Sequence, residues 1–289
     1  MKMLPAIILI VLVSMAWMLF ASEYNLDDPI TYRDAFMRVR GDSSGQDVVY
    51  YWSGTVYSFE PQKKKLELFK LEGFNIAKTV VNEDGFELWT REAAFFEDPR
   101  TGDILESWNN PLNDSLVQVI QIWNDPVNQD LTFEPEYLPY ITKILPSMDL
   151  GDQLCFHMEI FPYYPSPLPR SKYPQFSQND IYQAAEFFQF YADKTDLSNP
   201  ALTSVPVSIS WTRMSPWMPF MRMGDRTGNL LFSCRGMKLK GGFEALPDKI
   251  KKYVKLHKPE YCSAPSEYYQ PNETSWTYFR KLTDQGIIK

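Results

Sequence analysis

The stretch from Val48 to Phe59 reads VVYYWSGTVYSF, and it decides which fold the rest of the chain must join. It is rich in β-branched and aromatic residues, and apolar side chains alternate with polar or small ones around Ser53 and Gly54. Residues of these types favour strands because their side chains pack well on a pleated, half-buried surface. The segment has 12 residues, whereas a common strand has about five or six, so it predicts an unusually long strand.

Four segments with a similar pattern follow, separated by short runs of turn-forming residues: Leu66–Val81, Phe86–Phe96, Ile104–Trp108 and Leu116–Trp123. Consecutive strands joined by short turns form an antiparallel meander. Because several of these strands are long, we expect a strongly bent antiparallel sheet or a closed, calycin-like β-barrel.

Three further strands are predicted beyond the meander: Leu154–Phe161, Val205–Trp211 and Leu230–Leu239. The proline-rich segment 161–174 cannot be a central strand, and it is either a lid over a pocket or a crossing loop. In the next segment, Ser177 and Asp180 have the spacing of a capping box, and apolar residues recur at helical intervals after them. This pattern predicts a helix from Gln178 to Lys194.

Short helices are expected near both ends of the chain. Asp28 and Pro29 form a helix start and Gly41 a helix stop, and a second short helix begins at Pro247 with lysines on its outer face. The predicted fold class is therefore mainly β with peripheral helices. No change in composition divides residues 22–289, so we expect one β-rich domain there.

The composition limits the function classes. The 289 residues are 44% hydrophobic and 22% charged, which is typical of a globular protein, and 15% are aromatic. The formal net charge is −7, so the chain lacks the excess of basic residues with which proteins bind a nucleic-acid backbone. Nucleic acid is therefore not an expected partner.

The N-terminal segment predicts export from the cytoplasm. Met3–Ala21 is an uncharged run preceded by Lys2 and followed by polar residues, so residues 1–21 are either a cleaved signal peptide or a retained membrane anchor. The small residues Ser14 and Ala16 match a signal-peptidase site and favour cleavage. We expect a periplasmic or secreted protein, or one tethered to the membrane through residues 3–21.

No metal or cofactor site is expected. Cys155, Cys234 and Cys262 are too few and too scattered for a zinc site, although an oxidising compartment permits one disulfide among them. Two histidines cannot form a His-rich metal site, and no phosphate-binding loop, dinucleotide-binding motif or nucleophile elbow occurs.

The sequence resembles the family catalogued as domain of unknown function 1838. The resembling residues include Tyr50–Tyr57, Glu72–Ala77, Asn124–Asn128, Pro216–Pro219 and Thr274–Phe279, with Tyr32–Phe36 and Thr90–Glu92 as further matches. The resemblance implies one undivided domain and supplies no activity, cofactor or catalytic residue.

The tryptophans are the leading candidates for a ligand pocket. Trp108 and Trp123 each end a predicted strand and are each followed by Asn-x-Pro. The repeat marks either two equivalent strand ends or two indoles that lie at one rim of the barrel. We expect a small apolar or aromatic ligand to be bound by these residues: Trp89, Trp108, Trp123, Trp211, Asn124 and Asp125.

An enzyme without a cofactor, namely an isomerase, cyclase or hydrolase, is the alternative function. Its candidate catalytic residues are Arg91, His157 and Glu159. On the strand at 154–161, His157 and Glu159 lie on the face opposite to Phe156 and Met158, so they reach a pocket only if the polar face points inward. Of the neighbours Arg91 and Glu92, one must face inward and needs a partner such as Asp125 or Glu72. A tethered interaction domain without a pocket is a third possibility.

Overall fold

The computed structural model describes residues 25–288 and is mainly β. Five α-helices occur in this range: α1 (Pro29–Arg40), α2 (Ile141–Ile144), α3 (Lys194–Leu197), α4 (Asp248–His257) and α5 (Ser275–Asp284). The strands are β1 (Val48–Phe59), β2 (Glu67–Val81), β3 (Phe86–Glu97), β4 (Ser107–Asn110), β5 (Ser115–Gln118), β6 (Ile122–Asn124), β7 (Gln129–Asp130), β8 (Ser147–Asp149), β9 (Gln153–Ile160), β10 (Tyr163–Pro165), β11 (Ile181–Gln183), β12 (Ala185–Asp193), β13 (Ser208–Ser215) and β14 (Asn229–Leu239).

Ten strands form one antiparallel sheet in the order β6-β3-β2-β1-β14-β13-β12-β9-β8, with β7 also paired to β3. The predicted long strands are confirmed, and β1 has the predicted bounds. The chain returns after the meander to place β14 beside β1, so strands from its two halves meet at the centre of the sheet. Pairs β4–β5 and β10–β11 form two small separate sheets.

The sheet curls around α1. The Phe36 ring lies 6.4 Å from Phe86 on β3 and 5.7 Å from Phe156 on β9. Six strand-to-strand steps separate β3 from β9, a path of ~29 Å in a flat sheet with about 4.8 Å per step. Because both strands approach the same side chain, the sheet is strongly bent. We call β2, β3 and β6 the first arm, β9, β12 and β13 the second arm, and the inner side the concave face.

Of the two predicted architectures, the bent sheet is the one formed. Among residues 25–288 the sheet stays open, with β6 and β7 at one edge and β8 at the other, and no barrel closes. α1, α5 and the loops around 216–223 bury their apolar side chains against the concave face, and α4 packs on the outer, convex face.

The predicted helix from Gln178 to Lys194 is wrong. This segment forms β11 and β12, and helix α3 begins only at Lys194. Aromatic side chains occupy both faces of β12, so the alternation of apolar and polar residues that marks a strand is masked. The alanines of this segment fall at helical intervals by coincidence. Asp180 accepts a hydrogen bond from the Ser171 amide instead of capping a helix. Pairing with β9 and β13 along its length then overrides the local pattern.

The N-terminal and cysteine predictions have different outcomes. The predicted signal peptide or anchor lies outside the described residues, and none of the helices within 25–288 has the length and apolar character needed to cross a bilayer. Cys155, Cys234 and Cys262 are all free thiols, the first two buried, so the structure contains no disulfide among them.

Candidate ligand-binding cavity

A cavity of about 320 Å³ lies between the two arms on the concave face. The end of α1, Pro162 and Tyr164 of the proline-rich segment, and the start of α5 contribute to its lining. The proline-rich segment therefore borders a pocket. The cavity is lined by Arg40, Tyr50, Trp52, Asn75, Glu92, Asn124, Val127, Gln129, Met158, Ile160, Pro162, Tyr164, Tyr182, Glu186, Phe188, Phe190, Ile209, Trp211, Arg213, Glu273, Thr274 and Ser275.

A glycine on the neighbouring strand makes room for the Trp52 indole in the cavity wall. Trp52 on β1 is paired with Gly73 on one neighbouring strand and with Gly236 on the other. A Cβ on Gly73 would lie 2.7 Å from Nε1 and Cε2 of Trp52, closer than side-chain atoms pack. The Trp52 ring can therefore lie across its neighbour, where it meets Trp211 edge to face at 6.0 Å.

The aromatic wall continues along the second arm. Phe188 stacks on Trp211 at 6.1 Å and on Phe190 at 6.1 Å. Tyr164 stacks on Tyr182 at 5.0 Å, which attaches the β10–β11 hairpin to this wall. The result is a mostly aromatic surface with a few polar groups placed on it, as is typical of small-molecule sites.

A polar row crosses the first arm. Asn124, Glu92 and Asn75 are cross-strand neighbours on β6, β3 and β2, and all three line the cavity. The Asn124 Nδ2 donates to Glu92 Oε1 at 3.1 Å. Burial and, to a smaller extent, the nearby Glu186 raise the pKa of Glu92 to about 7, although Arg213 and the Asn124 hydrogen bond act in the opposite direction. Glu92 is therefore poised to exchange a proton near neutral pH.

An ion pair lies opposite on the second arm. Glu186 on β12 and Arg213 on β13 are cross-strand partners, with Arg213 Nε and Glu186 Oε1 3.5 Å apart. Trp211 Nε1 donates to Glu186 at 3.2 Å, and Arg213 Nη2 donates to the Tyr182 hydroxyl at 2.6 Å. Burial lowers the pKa of Arg213, but Glu186 and Tyr182 more than reverse this and raise it, so the guanidinium stays charged.

Arg40 occupies another part of the cavity wall. It is the last residue of α1 and is only 8% exposed. Its guanidinium donates to Gln129 Oε1 at 3.0 Å and to Met158 Sδ at 3.5 Å, and it lies 4.6 Å from the centre of the Phe190 ring. Arg40 thus connects the first arm, through β7, with the second arm.

Buried polar atoms without a hydrogen-bond partner concentrate at this cavity. Six such side-chain atoms occur among the described residues. Two belong to Glu72 and Glu97, carboxylates that both pair with Lys249 on the convex face. The other four belong to residues that line the cavity: Arg40 Nε, Trp52 Nε1, Asn124 Oδ1 and Arg213 Nε, the last of which is ion-paired with Glu186 Oε1 at 3.5 Å. Buried polar groups are normally hydrogen-bonded, so unpaired atoms that gather at one cavity call for an explanation.

The structure brings two of the six predicted ligand-binding residues to the cavity, Trp211 and Asn124. Trp89 donates its indole N–H to Glu87, and Trp108 packs on Phe69 at 4.5 Å. Trp123 lies on the convex face against Phe95 at 5.2 Å. The two Asn-x-Pro tryptophans therefore do not share a rim.

Asp125 and Arg91 pair with each other outside the cavity. Arg91 Nε donates to Asp125 Oδ2 at 2.7 Å, and Arg91 Nη1 donates to the Glu260 and Ser263 carbonyls. Because Arg91 and Glu92 are adjacent on a strand, the outward position of Arg91 turns Glu92 inward.

His157 and Glu159 lie on the side of β9 away from the cavity, while Met158 and Ile160 line it. The apolar side of this strand therefore points inward. Arg91, His157 and Glu159 do not share a cavity, so the charged groups available to a ligand are others: Arg40, Glu92, Glu186, Arg213 and Glu273.

The sequence contained a partial signal for these missed residues. Ile209, Trp211 and Arg213 occupy alternate positions of β13, so the charged Arg213 side chain is on the same face of the strand as two core residues. Glu186 has the same relation to Phe188 and Phe190, but the wrong helix prediction concealed it. Within residues 25–288 no group of His, Cys, Asp or Glu side chains is arranged to hold a metal ion.

The model of the family described as Protein of unknown function (DUF1838) matches residues 45–283. The chain belongs to this family. The earlier resemblance to DUF1838 is thereby confirmed. The DUF1838 range includes every strand that lines the cavity and begins after α1, so Arg40 lies outside it. No curated protein matches the chain.

Proposed function

We propose that this chain binds one small apolar or aromatic molecule in the cavity between the two arms. The observation that carries the proposal is the combination of an aromatic wall with buried, unpaired polar atoms at a single cavity. The aromatic wall favours an apolar body, because removing such a body from water is favourable in proportion to its area. The unpaired polar atoms favour a ligand that also carries at least one hydrogen-bonding group.

The cavity volume limits the size of the ligand. A volume of about 320 Å³ is roughly twice that of a buried apolar cavity that holds one benzene molecule. A two-ring aromatic compound, or a chain of about eight to ten carbons, therefore matches the available space.

Titration with 2-naphthol, followed by isothermal calorimetry, tests this proposal. We expect saturable one-to-one binding, and we expect Ile209→Phe to weaken it by about tenfold because the larger ring fills part of the cavity. Ile181→Phe is the matched control, since Ile181 is 39% exposed and lies outside the cavity. Absence of saturable binding, or equal affinity of wild type and Ile209→Phe, would contradict the proposal.

Catalysis of proton transfer on the bound molecule is the second candidate function, and the inward carboxyl of Glu92 favours it. A carboxyl with a pKa of about 7 serves well as a general acid or base near neutral pH. Glu92 also faces a site that contains a second carboxylate and the cation Arg213. A pair of carboxyl groups in different environments is a common arrangement for acid–base work. No cofactor is needed for an isomerisation of this kind.

Deuterium exchange tests the second candidate. With 2-tetralone, a bicyclic ketone with acidic C–H bonds beside its carbonyl, we expect the protein to accelerate exchange in D₂O, as followed by proton NMR. Glu92→Gln is expected to remove the acceleration, since the amide cannot accept the proton. The exposed Glu159→Gln is the control and retains full activity. If both variants exchange like wild type, Glu92 is not the base.

We further propose that the protein acts outside the cytoplasm, either released or tethered through residues 3–21. The support is the uncharged run Met3–Ala21 with its flanking Lys2. N-terminal sequencing of protein from its own host, combined with carbonate extraction of membranes, distinguishes release from tethering. Recovery of the full-length chain in the soluble cytoplasmic fraction would contradict both forms.

A further inference from the structure

Arg40 differs from Arg91, Arg213 and Arg226 in lacking a carboxylate partner. Arg91 pairs with Asp125 at 2.7 Å, Arg213 with Glu186 at 3.5 Å and Arg226 with Glu60 at 2.7 Å. Arg40 is 92% buried, yet no Asp or Glu oxygen of residues 25–288 lies within 4.0 Å of its guanidinium. Its contacts are an amide oxygen, a thioether and an aromatic face.

A second basic group, Lys238, lies near Arg40 and supplies no counter-ion. Burial lowers the pKa of Lys238 to about 7, and repulsion by the nearby charge of Arg40 contributes to this shift. The Lys238 Nζ is already used, because it donates to the carbonyls of Arg38 and Gly41 and to Ser204 Oγ. The nearby Asp42 partly offsets the charge of Lys238.

A buried cation without a counter-ion is costly, because buried charges in natural structures are normally paired. The desolvated guanidinium of Arg40 remains protonated near neutral pH, since its pKa is lowered only to about 10. Its Nε has no acceptor among the described residues. The missing partner is therefore an anion that reaches Arg40 from the cavity that it lines.

We propose that the ligand is a small aromatic or aliphatic carboxylic acid, bound as the carboxylate with its charged group on Arg40 and its apolar body along the aromatic wall. This inference rests on the proposed function, since it names the chemical class of the molecule bound at the same site. A guanidinium matches a planar carboxylate with paired hydrogen bonds.

A phosphate ester fits this cavity less well than a carboxylate. A phosphate carries a charge of about −1.5 to −2 near neutral pH, which is more than Arg40 alone can balance. The carboxylates Glu92 and Glu186 line the same cavity and disfavour the additional negative charge.

Calorimetric titration with pairs of acids and their neutral amides tests the inference. The probes are benzoate and benzamide, 2-naphthoate and 2-naphthamide, and octanoate and octanamide, which differ within each pair mainly in charge. At about pH 7.5 we expect at least one acid to bind about tenfold or more tightly than its amide. In Arg40→Met we expect the acid to lose this advantage while the affinity for the amide changes by less than about twofold.

Arg33→Met is the matched control, since Arg33 is on the same helix but donates to the Glu83 carbonyl away from the cavity. We expect it to retain the preference for acids. Thermal unfolding gives an independent readout: Arg40→Met without ligand is expected to melt no lower than wild type, because the substitution removes an unpaired buried charge. If Arg40→Met does not fold, Arg40→Gln replaces it. Failure of both variants to fold would show that Arg40 is needed for folding and would overturn the inference.

The outcomes separate this inference from the proposed function. If acid and amide bind wild type equally well, or if the preference persists in Arg40→Met, the inference is wrong and the binding function stands. If no member of any pair binds but 2-naphthol does, the inference alone is wrong, and if 2-naphthol does not bind either, the proposed function fails and the inference fails with it.

Discussion

The polar side chains on the two faces of the same strands differ in how completely they are paired. On the convex face, Arg91 meets Asp125 and two backbone carbonyls, and Lys249 pairs with both Glu72 and Glu97. On the concave face, the adjacent Glu92 has a single amide donor, and Trp52 and Asn124 retain unpaired atoms.

This difference is the one expected between a structural surface and the binding surface that we propose for the cavity. The convex face is filled by α4 and by an aromatic cluster in which Trp123 stacks on Tyr253. Its cations Arg91 and Lys249 are both paired with carboxylates of the chain. The concave face is aromatic as well, but it leaves a cavity and unsatisfied groups, which cost stability unless a ligand completes them. Each prediction below tests whether the two faces are independent in this way.

The largest effect is expected from Trp123→Ala on the convex face. Trp123 is 6% exposed and contacts Tyr261 at 5.0 Å, so truncation leaves a large void. We expect the free energy of unfolding in urea to fall by about 3–5 kcal/mol, while the folded fraction binds 2-naphthol as wild type does. Leu116→Ala, at a side chain that is 70% exposed, is the control. Loss of binding without loss of stability would show that the faces are coupled.

Gly73→Ala should act on the opposite face. The added methyl group would meet the Trp52 indole at 2.7 Å and push the ring toward the cavity. We expect a loss of about 1–3 kcal/mol in the free energy of unfolding, together with weaker binding of 2-naphthol. Gly85→Ala is the control, because its Cβ would collide with the Leu131 carbonyl outside the cavity. An equal effect of both variants on binding would argue against a role for Trp52 in the cavity wall.

Glu92→Gln should give a pH-dependent gain in stability. Burial raises the pKa of Glu92 from 4.5 to about 7, so between these values the folded state binds more protons than the unfolded state. Wild-type stability attributable to this group is therefore fully present below pH 4.5 and is lost as the pH rises to about 7. Glutamine stays neutral, so we expect equal stability near pH 4.5 and an advantage of about 1–2 kcal/mol for Glu92→Gln at pH 8.

Urea unfolding at the two pH values measures this gain. Glu159→Gln is the control, since Glu159 is exposed on the outer side of β9. A stability difference between Glu92→Gln and wild type that does not change with pH would contradict the assignment of Glu92 to a desolvated site.

The smallest effect is expected from His157→Gln. His157 lies on β9 on the side away from the cavity. We expect the free energy of unfolding to change by less than about 0.5 kcal/mol and the affinity for 2-naphthol to stay unchanged. A weakening of binding would place His157 in contact with the ligand and make the outer face part of the site.

Much of the fold could be predicted from local pattern. The long strands β1, β2 and β3 and the cap of α1 at Asp28 follow from alternation and from residue types whose preferences act over a few neighbours. β12 could not be predicted in this way, because its side chains are half-buried on both faces and its conformation depends on pairing with distant strands.

The candidate site was less accessible to sequence reasoning. Trp211 and Asn124 were found because aromatic and amide residues near strand ends are common in pockets. Trp89, Trp108 and Trp123 share the same residue type but point elsewhere. Residue type alone does not distinguish an indole that lines a cavity from one that fills a core.

The sequence by itself determined that this is a mainly β, acidic, aromatic-rich chain of the DUF1838 family, because these properties depend on composition, alternation and local motifs. Only the tertiary structure decided which face of each strand points inward and how far the sheet curls. Those two features bring Arg40, Glu92 and Arg213 to one cavity although they are far apart in the chain. The physical reason is that strand register and sheet curvature arise from the sum of many long-range contacts, which no short stretch of residues contains.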